Sequence, residues 1–260
     1  MKFVQLTEEK SIAFVSLNRP ELRNAFNPEM IAEIQGTFKQ LSTRQDLRAI
    51  VLKGEGKAFC AGGDLNWMKD MVKYTSEENK EDANRLFEMF EAIYHCHVPV
   101  IGVVHGAVFG GALGLVACCD YVICEDKTQF CFSEVKLGIA PAVISAFVLK
   151  KCSLGKIGHL MLTAQVFTAK EAKSAGLAHE ICDEEALQDR VEVALSWMRE
   201  VGPEAIRATK SLIHRLPDLE WIQAKEESAE TISERRVSAE GQEGLKSFLE
   251  KRKPKWRSAE

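Results

Sequence analysis

Two stretches of the chain set glycines where an apolar run gives way to a helix: Phe59-Cys60-Ala61-Gly62-Gly63-Asp64-Leu65 and His105-Gly106-Ala107-Val108-Phe109-Gly110-Gly111-Ala112. Without Cβ atoms, such backbones approach a ligand closely. In the second stretch the following helix aims its unpaired N–H groups and the positive end of its dipole at whatever rests against Gly111, which makes an anion site. Two such N–H groups converging on one carbonyl oxygen form an oxyanion hole, and losing one donor from a site of that kind costs on the order of 10²–10³ in rate. Each glycine pair alone is better explained by close helix packing. Their joint occurrence in one chain, with the motifs described below, favours chemistry.

Other chemistries are excluded by spacing. Gly54-Glu55-Gly56 is followed by Lys57, Ala58 and Phe59, so the third glycine of a dinucleotide fingerprint is missing, and the Walker pattern fails at the same place. His95-Cys96-His97 has no second ligand cluster at zinc-site spacing, and the end of an amphipathic helix is the commoner home for it; no metal is expected. Neither a GxSxG elbow nor an HExxH helix occurs.

The elements that must position the glycine turns follow from periodicity. In the first half, short β-type runs (Ile12–Leu17, Ala49–Leu52, Val98–Val104) alternate with helical stretches near Pro28–Leu41 and Glu77–His95, which argues α/β with parallel crossovers. Val98–Val104 is apolar on both faces and predicts a strand buried on both sides. Gly110–Cys119 is small and apolar all round, so it predicts a short helix in the core. Two short strands, Tyr121–Cys124 and Gln129–Phe132, precede a helix-rich second half. Beyond about residue 200 the chain is charged and helical (Pro203–His214, Leu219–Val237, Glu240–Lys251). These helices are too polar to form a hydrophobic domain of their own and must bury their apolar positions on the core or on another subunit. The expected division is therefore a core over 1–200 and a C-terminal helical region over 201–260.

With 260 residues, 46% of them hydrophobic and 28% charged, the chain can bury a full core. A net charge of −4 leaves no cationic field for a phosphate backbone and argues against nucleic acid. The basic run Lys251–Arg257 reads as a solvated tail or a phosphate contact. Eight cysteines stand scattered without framework spacing, several within apolar runs, as in a reducing compartment. No apolar run approaches the roughly 20 residues needed to span a bilayer, and the first ten residues carry neither a secretory nor a transit pattern. A cytoplasmic enzyme is expected, or a matrix enzyme whose leader is absent.

Leu17-Asn18-Arg19-Pro20 with Asn24-Ala25, the AGGDL loop at Ala61–Leu65, HGAVFGGALGL at His105–Leu115, Cys119-Asp120 and the run Phe130–Ile139 together resemble the enoyl-CoA hydratase/isomerase (crotonase) family over nearly the whole chain. The resemblance implies a spiral of ββα turns with a C-terminal helical trimerisation region, hence a homotrimer or a hexamer built as a dimer of trimers. It implies an acyl-CoA thioester as substrate, coenzyme A entering as part of it and no separate cofactor. The thioester carbonyl would be polarised by the amides of Gly63 and Gly111, and Glu134 would be the general acid/base. Arg23 and Ala25 would lie near the nucleotide; Ala61, Asp64 and Leu65 would line the adenine and pantetheine, and Lys251 or Arg252 would reach a phosphate.

The chain departs from the family at one place. Hydratases of this type carry a second glutamate three residues after the second oxyanion glycine, and here that position is Gly114. Hydration delivers water to Cβ and a proton to Cα, duties that two carboxylates share most simply, whereas one carboxylate suits a proton shuttle between Cα and Cγ, as in Δ3,Δ2-enoyl-CoA isomerases. Against isomerase, Asp64–Met68, Ser133–Ser145 and Val237–Gly244 resemble a bacterial subgroup described as hydratases of methylglutaconyl-CoA or related carboxylated branched enoyl-CoAs in leucine and acyclic terpene breakdown, which also lacks that glutamate. Hydratase is the preferred reading. Isomerase and a non-catalytic acyl-CoA binder are the rivals, and a glutamate placed at the vacant position 114 would raise hydration if that position faces the acyl group. Trp67 and Met68 are candidates for the acyl pocket, although apolar residues at a helix start more often belong to the core. Lys69, Lys73 and Lys136 are the candidate cations for a substrate carboxylate.

Overall fold

A strand of five apolar residues with every position buried, Val100–Val104, needs cover on both faces, and the fold is arranged around that requirement. In the computed structural model, which describes residues 1–257, the strands are β1 (Val4–Glu9), β2 (Ile12–Leu17), β3 (Ala49–Gly54), β4 (Val100–Val104), β5 (Ala107–Phe109), β6 (Tyr121–Glu125), β7 (Gln129–Cys131), β8 (Phe167–Thr168) and β9 (Glu180–Cys182). The helices are α1 (Pro28–Ser42), α2 (Leu65–Met71), α3 (Ser76–Tyr94), α4 (Ala112–Cys118), α5 (Ala142–Lys151), α6 (Leu154–Thr163), α7 (Ala169–Ala175), α8 (Leu187–Glu200), α9 (Pro203–Arg215), α10 (Trp221–Val237) and α11 (Ala239–Leu249). One sheet runs β1-β2-β3-β4-β6-β9, parallel from β2 onward, with β1 hairpinned antiparallel on its edge. The second is β5-β7-β8, with β5 parallel to β7. The parallel crossovers expected from the alternating runs are present.

One face of the large sheet packs against α1, α3 and α4 in a core holding Phe38, Phe59, Phe90, Phe130 and Phe132; the other face packs Ile12, Val51, Ile101 and Ile123 against Val191 and Leu195 of α8. Helix starts are written locally. Asn27 accepts the Met30 N–H at 2.9 Å with Pro28 in the first turn, and Thr75 with Glu78 forms a reciprocal capping box at α3. Helix α4 is buried at all seven positions, as its small apolar sequence requires.

After residue 200 the described chain is helical. It is tied to the sheet by Lys210, whose Nζ donates to the Asp120 carboxylate at 2.6 Å and the Val98 carbonyl at 3.3 Å. Within this region the Glu240 carboxylate of α11 accepts the N–H groups of Glu204 and Ala205, at 2.9 and 2.8 Å, and so caps α9. Residues 258–260 of the expected C-terminal region lie outside the described residues. No helix among the described residues is long and apolar enough to cross a membrane.

Candidate active site

The two glycine turns are laid side by side by the strands that precede them. Cys60 bridges Val108, the Phe59 N–H donates to the His105 carbonyl at 2.9 Å, and Gly62 presses on Phe109, where a Cβ would stand 2.6 Å from the Phe109 carbonyl oxygen. Gly62 also has φ +95°, so this position demands glycine on both counts. Phe26 joins the two turns. Its backbone pairs with Gly63 through Phe26 N–H to Gly62 O and Asp64 N–H to Phe26 O, both 2.9 Å, while its ring lies against Gly111, 2.9 Å from where a Cβ would be.

Pairing on either side leaves the two expected amides over. The Gly110 N–H is used by the Cys131 carbonyl, and α4 begins immediately after Gly111. Among the described residues neither the Gly63 N–H nor the Gly111 N–H donates a hydrogen bond. Glu134 stands in the short 3₁₀ turn Ser133–Leu137, on the far side of Gly110: a Cβ on Gly110 would lie 3.5 Å from Glu134 Oε1 and 3.2 Å from Ser133 Oγ. Glu134 Oε2 is buried without a hydrogen-bond partner, and burial raises the pKa of the carboxyl above its ordinary value, opposed only in part by its own backbone N–H. A carboxyl held this way is poised to exchange protons rather than to hold a structural charge.

The expected coenzyme contacts separate into two groups. Ala25, Ala61, Asp64 and Leu65 line a cleft of about 380 Å³ together with Gly63, Leu22, Asn66 and Lys69. Arg23 and Lys251 do not line it. Arg23 sits in a left-handed turn (φ 51°) with its side chain exposed, and contributes its carbonyl, which accepts the Ala61 N–H at 2.9 Å. Lys251 is exposed just beyond α11. Asp64 borders the cleft, but its carboxylate is committed elsewhere. Oδ2 pairs with the buried Arg19 at 2.8 Å, and Oδ1 caps α2 by accepting the Asn66 N–H at 2.7 Å. Burial pushes its pKa up, but the Asn66 N–H and Arg19 outweigh it and hold the carboxyl below its usual value.

Position 114 is not vacant space, and a side chain there requires Phe90 and Ile144 to move. A Cβ on Gly114 would meet Phe90 Cζ and Ile144 Cγ2, both at 2.7 Å, and both side chains are buried in the core. The expectation that a second acid could be added at this position is therefore corrected: Phe90 and Ile144 fill the room it would need. Trp67 is core, 6% exposed with its Cε3 and Cζ3 edge 3.6 Å from a Cβ on Gly63, and the Met68 methyl stands 3.1 Å from that same point. Cys60, next to the first glycine turn, has its thiol pushed up to about 12 by burial, which removes it as a nucleophile at neutral pH.

Two residues of the motif near the N-terminus, Arg19 and Asn24, to which the sequence assigned no role, build the frame. Arg19 donates to the Ala25 carbonyl at 2.6 Å as well as to Asp64, and the fully buried Asn24 donates to the Glu55 and Ala58 carbonyls, each at 2.8 Å. The signal was present, in a charged residue and an amide flanking Pro20 ahead of the first glycine turn, but nothing local tells a buried Arg19 from an exposed Arg23.

The sequence matches the enoyl-CoA hydratase/isomerase family over residues 7–259. The chain belongs to this family. The structure superposes on an enoyl-CoA hydratase from Shewanella pealeana with a TM-score of 0.93 at 36% identity, covering 98% of this chain and 96% of that one. It superposes on Pseudomonas aeruginosa AtuE with a TM-score of 0.95 at 32% identity, covering 98% and 99%. A crotonyl-CoA hydratase of Syntrophomonas wolfei subsp. wolfei is 28% identical over 250 residues, 95% of each chain. As a member of this crotonase family, the protein acts on acyl-CoA thioesters.

Proposed function

We propose that this crotonase-family protein hydrates, and in reverse dehydrates, a short or branched 2-enoyl-CoA thioester, with or without a second carboxylate on the acyl chain, of the methylglutaconyl-CoA type. The observation that carries the reading is Glu134: a half-buried residue whose Oε2 is buried and unpartnered, packed against Gly110 beside two unused amides. In this reading the thioester oxygen sits on the Gly63 and Gly111 N–H groups, which stabilise negative charge as it develops there. Glu134 takes a proton from water as the hydroxyl adds to Cβ; the C=C electrons pass to the enolate, and Glu134 returns the proton at Cα. The nucleotide and pantetheine occupy the cleft of Ala25, Ala61, Asp64 and Leu65, where Lys69 is the lining residue that supplies a cation for a phosphate or an acyl carboxylate. Lys73 does not line the cleft and makes an exposed ion pair with Asp70 at 3.6 Å.

Isomerisation between 3-enoyl and 2-enoyl thioesters is the second reading, and the filling of position 114 by Phe90 and Ile144 is what favours it, since one carboxylate suffices for that shuttle. A panel of crotonyl, methylglutaconyl and 3-enoyl thioesters separates the two. Hydration removes the conjugated absorbance of the 2-enoyl esters; isomerisation creates it from the 3-enoyl ester. Loss of neither substrate with CoA-ester binding intact would leave an acyl-CoA binder. Trimeric or hexameric assembly is proposed from the large apolar side chains that the C-terminal helices leave exposed, Trp221, Phe248 and Leu249 at 88%, 81% and 77%; light scattering giving a monomer would reject it.

A further inference from the structure

A water molecule that attacks Cβ has two O–H groups, and catalysis needs an acceptor for each: one to remove a proton, the other to hold the oxygen in line. In a two-carboxylate site both acceptors are acids. Here the room for the second acid is occupied by Phe90 and Ile144, each 2.7 Å from where a Gly114 side chain would begin, so no acceptor can come from that side. The side of Gly110 that faces Glu134 offers another. Gly110 has φ +55° and no side chain, and the two polar atoms packed against it, Ser133 Oγ and Glu134 Oε1, stand 3.2 and 3.5 Å from where its Cβ would be and so face the same point.

Ser133 is half-buried and, although its neighbours Phe132 and Cys131 are buried in the core, its hydroxyl makes no hydrogen bond among the described residues. A hydroxyl beside a desolvated carboxyl would ordinarily be drawn into a local bond to a backbone carbonyl, as Ser145 is to Pro141 at 2.6 Å. Ser133 stays uncommitted because it opens the Ser133–Leu137 3₁₀ turn, with no residue in the preceding turn to receive it.

We propose that Ser133 Oγ is the second acceptor of the nucleophilic water: it takes the hydrogen bond of the O–H that is not transferred, while Glu134 takes the proton of the O–H that is. The hydroxyl is uncharged and exchanges no proton with substrate; the bonds made and broken remain those of hydration, with the water oxygen bonding to Cβ, one water proton passing to Glu134, and that proton passing on to Cα. This assignment rests on the hydratase reading above and explains how a site with a single carboxylate orients water.

The test compares two reactions of one protein. Exchange of the α-protons of butyryl-CoA with D2O needs the two amides and Glu134 but no attacking water; hydration of crotonyl-CoA and methylglutaconyl-CoA needs all of them. Ser133→Ala is expected to lower kcat for hydration about tenfold, the worth of one neutral hydrogen bond, with KM and the exchange rate unchanged, and Ser133→Thr to recover hydration. Hydration undiminished in Ser133→Ala, or hydration and exchange falling together, overturns the assignment while leaving the hydratase reading in place. A wild-type protein that exchanges α-protons but hydrates neither ester rejects the hydratase reading itself, and the Ser133 role with it.

Discussion

Two carboxyl groups flank the candidate site, and they are treated in opposite ways. Asp64 follows the first glycine turn, has both oxygens engaged by Arg19 and the start of α2, and is held below its usual pKa. Glu134 follows the second, has an oxygen with no partner at all, and is raised by burial. Asp64 adjoins Gly63 in the sequence and Glu134 meets Gly110 only through the fold, and it is the fold that shows one acid holding the architecture and the other left free to react. A satisfied carboxylate is a strut, and a carboxyl that loses more to burial than its one backbone donor returns is held in a state of readiness that costs stability.

Glu134→Gln puts that contrast under the heaviest load. The amide cannot accept a proton, so turnover should fall by about 10²–10⁴ while CoA-ester binding persists. Stability should move the other way. Because the folded pKa is raised, the native state keeps a proton at pH values where the unfolded chain has lost it, and the stability associated with that proton is lost as pH rises through the folded pKa. Removing the ionisable group therefore raises the thermal midpoint at neutral pH, by about 2–4 °C for each kcal/mol recovered. The same raised pKa places the acid limb of wild-type kcat/KM above the ordinary carboxylate range, readable in a pH–rate profile.

Asp64→Asn inverts the result. It leaves Arg19 buried without its counter-charge (side chains 9% and 6% exposed), a change that costs about 3–5 kcal/mol. Denaturant unfolding should show the loss, and it is a loss of the ion pair alone, because the Oδ1 of an asparagine still accepts the Asn66 N–H and caps α2. An Asp64→Asn protein as stable as wild type would mean that the pairing is not the strut it is taken for.

Gly114→Ala sharpens the same comparison at the place where a second acid is missing. One methyl group must displace Phe90 or Ile144 from 2.7 Å, an overpacking cost of about 1–3 kcal/mol with no gain in hydration. A Gly114→Ala protein of undiminished stability would show that the space is open after all. The smallest effect is expected far from the site. Glu33 of α1 accepts the N–H groups of Lys2, Phe3 and Val4 at 2.8, 2.8 and 3.0 Å. Burial pushes its pKa up, but these three donors outweigh it and hold it low, so its stabilisation is present above the unfolded carboxyl pKa and disappears as pH falls through the folded one. Glu33→Gln should cost about 1 kcal/mol at pH 7 and almost nothing in strong acid, by urea unfolding at the two pH values.

Much of this was legible before any coordinates. Val98–Val104 announced a central strand because no polar residue interrupts it, and the observed β4 is buried at every position. The glycines at 62–63 and 110–111 announced close backbone approach, and the pairing of Cys60 with Val108 supplies it. Contacts between residues distant in sequence were not legible. Phe90 and Ile144 lie on different helices, and nothing in either helix says that their side chains close over Gly114. Asp64 read as a coenzyme contact because the family resemblance implies it; its partner Arg19, which engages the carboxylate, stands 45 residues earlier. Arg23, also a cation in the same loop, turned outward because the left-handed turn at residues 23 and 24 buries Asn24 instead.

The arrangement at the centre of the account is a thioester oxygen held by two main-chain amides within reach of Glu134. A crystal structure of the Glu134→Gln protein with an unreacted 2-enoyl-CoA tests it directly. The account requires the thioester oxygen about 2.7–3.1 Å from both the Gly63 and Gly111 nitrogens, with the carboxamide introduced at position 134 facing the acyl double bond. A thioester bound elsewhere, or with its oxygen turned away from either amide, would contradict it.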